Sequence, residues 1–344
     1  MDRFLTLSRA DRLEALSVAS DATGRPMHLF EKDVWVVWAL NAVFAAPFGP
    51  HLTFKGGTSL SKAYGLIQRF SEDVDLTYDV RHMIGAASED VDDAAQCFDL
   101  LPETTSQQRR ITKLVRERLP IWVAEVVVPL VTEALDAEGL AARIEADGDV
   151  LFIHYEPLVT GTGYVAPRIM LEFGARSTGE PSVERDIICD AAPHLPMLTF
   201  PTARPRVMLA ERTFWEKATA IHVYCLQSQV KGYRFVRHWH DLARLHEAGI
   251  TTSAMDRGDI AEAVARLKSW FFAAKDVHKE PIDYASAVAG QISLVPTGDA
   301  LNALRADYEA MVADGLLLAH AESFDQLMGV CRQIESVLNA RWPD

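Results

Sequence analysis

Leu52–Asp79 reads LTFKGGTSLSKAYGLIQRFSEDVDLTYD, and the order of features along it decides how the rest of the chain is read. A short alternating apolar run opens it, Gly56-Gly57 breaks the run, Thr58, Ser59 and Ser61 lead into a helix-like segment, and Val74-Asp75-Leu76-Thr77-Tyr78 returns. That is strand, tight turn, helix and strand. Two glycines let the backbone come close to an anionic ligand, and the helix that follows turns unpaired N–H groups towards it. Side chains alternate on the returning strand, so Ser71, Asp73, Asp75 and Thr77 share one face while Val74, Leu76 and Tyr78 take the other. Neighbouring like charges repel, so a cation between Asp73 and Asp75 is expected. Carboxylate oxygens completed by substrate phosphates suit Mg²⁺. Taken singly, D-x-D also fits a solvated strand edge and Gly-Gly an ordinary turn; their order on these elements favours a site.

A chain of 344 residues can bury a substantial core and hold one large or two modest domains. Its 49% apolar content with mixed charge is that of a globular protein. No apolar run reaches the roughly 18 residues of a membrane span, and MDRFLTLSRADRLEAL lacks a signal-peptide core, so a cytoplasmic protein is expected. Cys97, Cys189, Cys225 and Cys331 are scattered and suit reduced thiols better than disulfides or zinc. The net charge of −14 argues against indiscriminate nucleic-acid binding, which depends on neutralising phosphates. It leaves room for a local basic groove. Arg109, Arg110, Lys113, Arg116 and Arg118 form one candidate patch and Lys231, Arg234, Arg237 and His238 another, although each alone reads as a solvated helix face.

Ser8 and Asp11 suggest a capping box opening a helix to about Ala19, ended by Gly24-Arg25-Pro26. Leu29 to Phe44 is a strongly apolar helix, with Glu31 and Asp33 read as favourable charges at its start. Beyond Asp79 a polar loop with a short helix runs to about Pro102, followed by helices from Thr104 to Leu119 and from Ile121 to Leu140, separated by Pro120. Strand patterns return at Ala142–Ala146, Val150–Tyr155 and Arg168–Gly174. In the last, Glu172 lies opposite the apolar Ile169, Leu171 and Phe173, and a charge inside such a strand is costly unless paired or metal-bound. Glu172 is therefore a candidate third carboxylate, with pairing to Arg176 as the alternative. The proline-rich 193–205 stretch reads as an extended connection between domains. Helices follow at Met208–Leu226, Lys231–His246, Ile260–Ala274, Ala300–Leu317 and Ser323–Asn339. His238, His240 and Asp241 do not form a zinc site, because His residues two apart on a helix diverge.

Gly56-Gly57-Thr58-Ser59 followed by Asp73-Val74-Asp75 is similar to the signature of the DNA-polymerase-β-like nucleotidyltransferases, and GGTSLSKAYG…RFSEDVDL resembles the AbiEii/AbiGii nucleotidyltransferase toxins, the group that includes the MenT toxins. Glu31-Lys32-Asp33, LEFGARS around Glu172, TFWEKATAIH around Lys217 and HDLARL around Asp241 resemble further motifs of that family, although the third acid is more usually Asp. The resemblance implies an α+β fold, a polymerase-β-like mixed sheet flanked by helices, with a C-terminal helical domain. Residues 1–205 would form the nucleotidyltransferase domain with a helical insertion near 104–140, and residues 206–344 would contribute Lys217 and Asp241 to the cleft. It implies Asp73, Asp75, Glu172, Lys217 and Asp241 as catalytic residues, with Glu172 or Asp241 as base. Asp73, Asp75 and Glu172 would hold Mg²⁺, and Gly56, Gly57, Thr58, Ser59, Lys62, Ser71 and Lys217 would hold the NTP. Ser71 has two further readings, a hydroxyl modified by an antitoxin kinase or a strand-start serine bonded to backbone. The implied acceptor is RNA, at the 3′ end of tRNA, and the implied outcome growth arrest in a toxin–antitoxin or abortive-infection setting, restrained by a cognate antitoxin. Transfer to a protein or small-molecule hydroxyl, a catalytically inert nucleotide-binding module and a purely structural turn are the competing expectations.

Overall fold

Val74 and Leu76 on one strand and Ile169, Leu171 and Phe173 on its neighbour are each at most 1% exposed, so period-two alternation has built the buried face of a sheet. The structure is a computed structural model and describes residues 1–67, 69, 73–85, 102, 104–160, 166–228, 235–313, 317 and 322–340. Ser71, Cys97, Lys231, Arg234 and most of the polar stretch after Asp79 lie outside the described residues. The chain divides into two units, one of Met1–Ala63, Ser71–Ala94 and Lys113–Val207, the other of Tyr64–Phe70, Ala95–Thr112 and Met208–Asp344.

The first unit carries a seven-stranded mixed sheet. Its strands are β2 (Leu52–Lys55), β3 (Asp73–Tyr78), β4 (Ala142–Asp147), β5 (Val150–Tyr155), β6 (Arg168–Gly174), β7 (Ser182–Glu184) and β11 (Arg206–Met208), ordered β4-β5-β6-β3-β2-β11-β7. Pairing is antiparallel for β2 with β3 and for β5 with β4 and β6, and parallel for β3 with β6 and β11 with β2. Two short ladders lie apart, β1 (Asp2–Arg3) with β9 (Leu198–Thr199) and β8 (Ile187–Ile188) with β10 (Thr202–Ala203). The proline-rich stretch expected to be a plain connection therefore supplies strand, and β11 leaves it to join the main sheet. Three residues are too few for a periodic signal, which is why β7 and β11 escape a sequence reading.

Helix α1 (Arg9–Thr23) starts as expected, with the Ser8 hydroxyl accepting from the Asp11 N–H, and stops at Gly24 in the left-handed region. Helix α2 (Met27–Phe44) is apolar nearly all round and buried almost throughout, packed against α1 and β6. Next come α3 (Gly56–Lys62), between β2 and β3, and the short α4 (Val80–Ile84). Pro120 does not break the chain into separate helices: α5 (Thr105–Trp122) runs through it into a π-turn at Val123–Val127 and on into α6 (Val128–Glu138). A proline removes one donor and crowds the carbonyl a turn earlier, and a widened turn nearby is a known way to absorb that. Trp122, just past the proline, stacks on Tyr78 at 4.4 Å and meets Phe173 edge-on, so the helix is held to the sheet at this point. Arg109, Arg110, Lys113, Arg116 and Arg118 lie on the exposed side of α5, opposite the buried Ile111, Val115 and Leu119.

The second unit is helical: α7 (Ala210–Leu226), α8 (Arg237–Glu247), α9 (Ile250–Asp256), α10 (Gly258–Phe271), α11 (Tyr284–Val288), α12 (Gly298–Ala313) and α13 (Phe324–Ala340). Its core is built on Phe214, Trp239, Leu242, Val264, Leu294, Leu327 and Ile334, with the indole N–H groups of Trp215 and Trp239 donating to the carbonyls of Ala254 and Leu294. Among the described residues no helix is long and apolar enough to cross a membrane, and Cys189, Cys225 and Cys331 are free thiols.

Candidate active site

Asp75 stands in the middle of a row that crosses three strands. It is the register partner of Lys55 on β2 and of Glu172 on β6, while Asp73 pairs with Met170. Partners in register project to the same face, so Glu172, Asp75 and Lys55 lie side by side with Asp73 next to them. Asp73 and Asp75 are half-buried, and Glu172 is exposed. Glu172 thus faces away from the apolar core as expected, but solvent carries much of its charge. Further along the same face the ladder is closed over: Gly179, at φ +80, sits so near Thr53 that an added Cβ would fall 2.4 Å from its hydroxyl.

The turn and the acids meet. Gly56 has φ +77, and a Cβ there would lie 2.0 Å from Asp75 Oδ2. The first residue of α3 therefore has to lack a side chain, both for its backbone angle and for the carboxylate beside it. Thr58 Oγ1 donates to the Asp73 carbonyl and Ser59 Oγ to the Gly56 carbonyl at 2.9 Å, and both side chains are buried. The Thr58 hydroxyl ties the turn to the acidic strand and the Ser59 hydroxyl braces the turn itself, so what the turn offers outward is backbone. Gly56→Ala is expected to cost roughly 1–3 kcal/mol, the usual penalty for strained backbone, and to cut activity more than Gly65→Ala, whose Cβ meets nothing within 4 Å. Urea unfolding alongside a turnover assay checks both.

Lys62, at the far end of α3, is engaged elsewhere. Its ammonium lies 2.6 Å from Asp33 Oδ1 and 2.5 Å from Asp190 Oδ1, and Asp190 also pairs with Arg25. Burial alone would lower the lysine's pKa, but the two carboxylates outweigh it and raise it. This also explains Glu31-Lys32-Asp33, which sits inside α2 and not at its start. Each residue holds a different segment: both Glu31 oxygens accept the Leu158 N–H at 3.0 Å, Lys32 donates to the Ala166 carbonyl at 3.0 Å, and Asp33 also accepts the Asp190 N–H at 2.6 Å. Consecutive helix positions point about 100° apart, so three neighbouring charges can serve three loops. Burial raises Glu31 to a pKa of about 7, against the pull of the Leu158 N–H and then Arg12 and Arg9. A carboxyl whose folded pKa exceeds its unfolded value stabilises the fold below about pH 4.5, and that contribution is lost as pH rises through about 7. Glu31→Gln should therefore gain stability relative to the parent between pH 5 and pH 7.5, read from thermal unfolding at the two pH values.

Lys217 and Asp241 come together in the second unit. Asp241 on α8 is fully buried, accepts from Arg69 Nε and Nη2 at 2.7 and 2.8 Å, and lies 2.9 Å from the Lys217 ammonium. Burial would raise its pKa, but Arg69 and then Lys217 outweigh that and hold the carboxyl well below the usual range. So acidic a group is a weak proton acceptor. His238, brought down to about 3 by burial and by the Lys217 ammonium, stays neutral beside them. Its partner Arg69 is distant in sequence and carries no motif signal of its own.

The donor set on β3 and β6 is all oxygen, which fits a hard divalent cation. Among the described residues no group of three or more His, Cys, Asp or Glu side chains is disposed to hold a metal unaided. Asp73 and Asp75 as a pair, completed by phosphate and water oxygens, match how Mg²⁺ is usually held. Ser71 lies outside the described residues. Lys55, in the same row as Asp75, is the residue that sequence reasoning passed over; its signal was its position one residue before the Gly-Gly turn.

The sequence matches the family described as nucleotidyl transferase AbiEii toxin, type IV TA system, over residues 38–330, so Glu31-Lys32-Asp33 lies just outside the matched range. No curated protein matches the chain. Among solved structures, a similar one is MenT4, a nucleotidyltransferase toxin from Mycobacterium tuberculosis H37Rv, at 18% identity and a TM-score of 0.39, covering 98% of this chain and 100% of that one.

Proposed function

The chain belongs to the AbiEii nucleotidyltransferase toxin family of type IV toxin–antitoxin systems, and from that premise we propose that it moves a nucleoside monophosphate from an NTP to a hydroxyl of RNA, at the 3′ end of tRNA. The observation that carries this reading is the contact of Gly56 with Asp75: an open glycine backbone and a carboxylate pair converge on one spot, where a polyphosphate and its counter-ion would be held. Asp73 and Asp75 would bind Mg²⁺, which when present offsets phosphate charge and polarises the transferred group. Gly56 and Gly57 allow the phosphate tail to approach the backbone. The acceptor oxygen attacks the α-phosphorus, the bond to the bridging oxygen of the β-phosphate breaks, and pyrophosphate leaves. Glu172, exposed on the same face, is the proposed acceptor of the hydroxyl proton. Lys217 and Asp241 remain proposed participants on the resemblance of their motifs alone. A cognate antitoxin is the proposed protein partner and the cytoplasm the proposed compartment.

The test is incubation of the protein with each α-labelled NTP, Mg²⁺ and total RNA, with Asp73→Ala in parallel. Label on RNA that is lost in the variant supports the reading. Label on protein or on a small molecule moves the acceptor class, and bound NTP with no label anywhere would point to an inert module.

A further inference from the structure

We propose that Lys55 contacts the substrate directly, its ammonium receiving the phosphates of the nucleotide beside Asp75; this deepens the transfer reading and rests on it. The placement comes from the ladder. Lys55 faces Asp75 across the antiparallel β2/β3 pair, while Leu52 and Phe54, out of phase with it, are fully buried on the other face. Opposed residues in such a pair have Cβ atoms about 4.5–5.5 Å apart and project together. Lys55 is half-buried, and the next residue is Gly56, which places no side chain between the lysine and the acid.

Charge balance gives the lysine its task. Asp73, Asp75 and Glu172 put three carboxylates on this face, and a triphosphate arriving there adds more negative charge than one divalent cation offsets. A further cation on this face would offset that charge, and among the described residues several basic groups of the unit are already engaged. Lys62 is committed to Asp33 and Asp190, Arg25 to Asp190, and Arg168, on the same face, packs its guanidinium 4.4 Å over the Phe152 ring. Lys55 is the basic member of the row that contains Asp75. A flexible point charge suits phosphate, which presents several equivalent oxygens.

The competing role is a cross-strand partner that merely softens the charge of Asp75. The two differ in what a substitution moves. Lys55→Met in the full-length protein should raise KM for Mg-NTP roughly tenfold or more, the loss of one charge-assisted contact, with little change in melting temperature. Lys55→Arg should recover most of the affinity. Nucleotide binding by calorimetry, done with an α,β-methylene NTP analogue so that no turnover intervenes, should show the same ranking. If Lys55→Met leaves KM and affinity unchanged, or shifts only the melting temperature, the proposal is overturned. It is equally overturned if Lys55→Arg is as weak as Lys55→Met. Should the wild-type protein label no acceptor, the transfer reading falls, and the calorimetric comparison still decides whether Lys55 meets phosphate.

Discussion

Asp75→Asn should lower nucleotide transfer by about a thousandfold or more, equivalent to about 4 kcal/mol of transition-state stabilisation, in a protein that still folds. The loss has a local cause. Asp75 is half-buried between Glu172 on one strand and Gly56 on the other side, and Asp73 stands two residues away. Gathering carboxylates there costs folding energy through repulsion, and proteins keep such arrangements where the charge is used. Asparagine keeps the shape and the fit against Gly56 but removes the charge, so a cation loses a ligand while the site keeps its form. Asp73→Asn should behave alike, with the further point that the bond from Thr58 goes to the Asp73 backbone carbonyl and survives the change. Initial rates with α-labelled NTP, paired with thermal unfolding, check both variants. Full activity in Asp75→Asn would remove the acid pair from the mechanism.

The acidic face and the glycine turn were legible in the sequence because both depend on local rules. Period-two alternation puts Asp73 and Asp75 together whatever the rest of the chain does, and Gly-Gly after an apolar strand marks a turn without long-range information. Glu172 was legible for the same reason, by its phase against Ile169, Leu171 and Phe173. What escaped depends on contacts far apart in sequence. Nothing local in the sequence links Asp33, Lys62 and Asp190 until folding buries Asp33 and Lys62 together with Asp190 at their side. Arg69 reads as one more basic residue until it is found forked onto Asp241. The resemblance gave Lys62 to the nucleotide, and only the folded chain shows two carboxylates already holding it. Lys55 stands between these cases, since the alternation that placed Asp75 also places Lys55, but register with β3 was needed to bring the two together.

Asp241→Asn should be the most damaging of three single changes at the buried Arg69, Lys217 and Asp241 cluster. The carboxylate is fully buried and is shared by two cations, Arg69 through a two-bond fork and Lys217 through one contact. Breaking a buried pair by removing one partner costs roughly 3–5 kcal/mol, because the remaining charge stays desolvated without compensation. Here one substitution strands two positive charges near each other. Lys217→Met removes a cation but leaves Asp241 matched by the Arg69 fork, so its stability cost should be about 1 kcal/mol, in the range of a single net hydrogen bond. Arg69→Met should fall between them, since Lys217 remains but the fork is lost. The pH dependence carries the same sign. Asp241 is held well below its usual pKa, so its contribution is present above the unfolded value near 3.8 and is lost only as pH falls through the much lower folded value. In Asp241→Asn that acid-side loss should be missing. Urea unfolding at pH 7 and at pH 3.5 ranks the three variants, urea being preferred because guanidinium would screen the charges under study. If Asp241→Asn costs no more than Lys217→Met, the carboxylate is not the counter-ion of both cations, and Arg69 must find its compensation elsewhere.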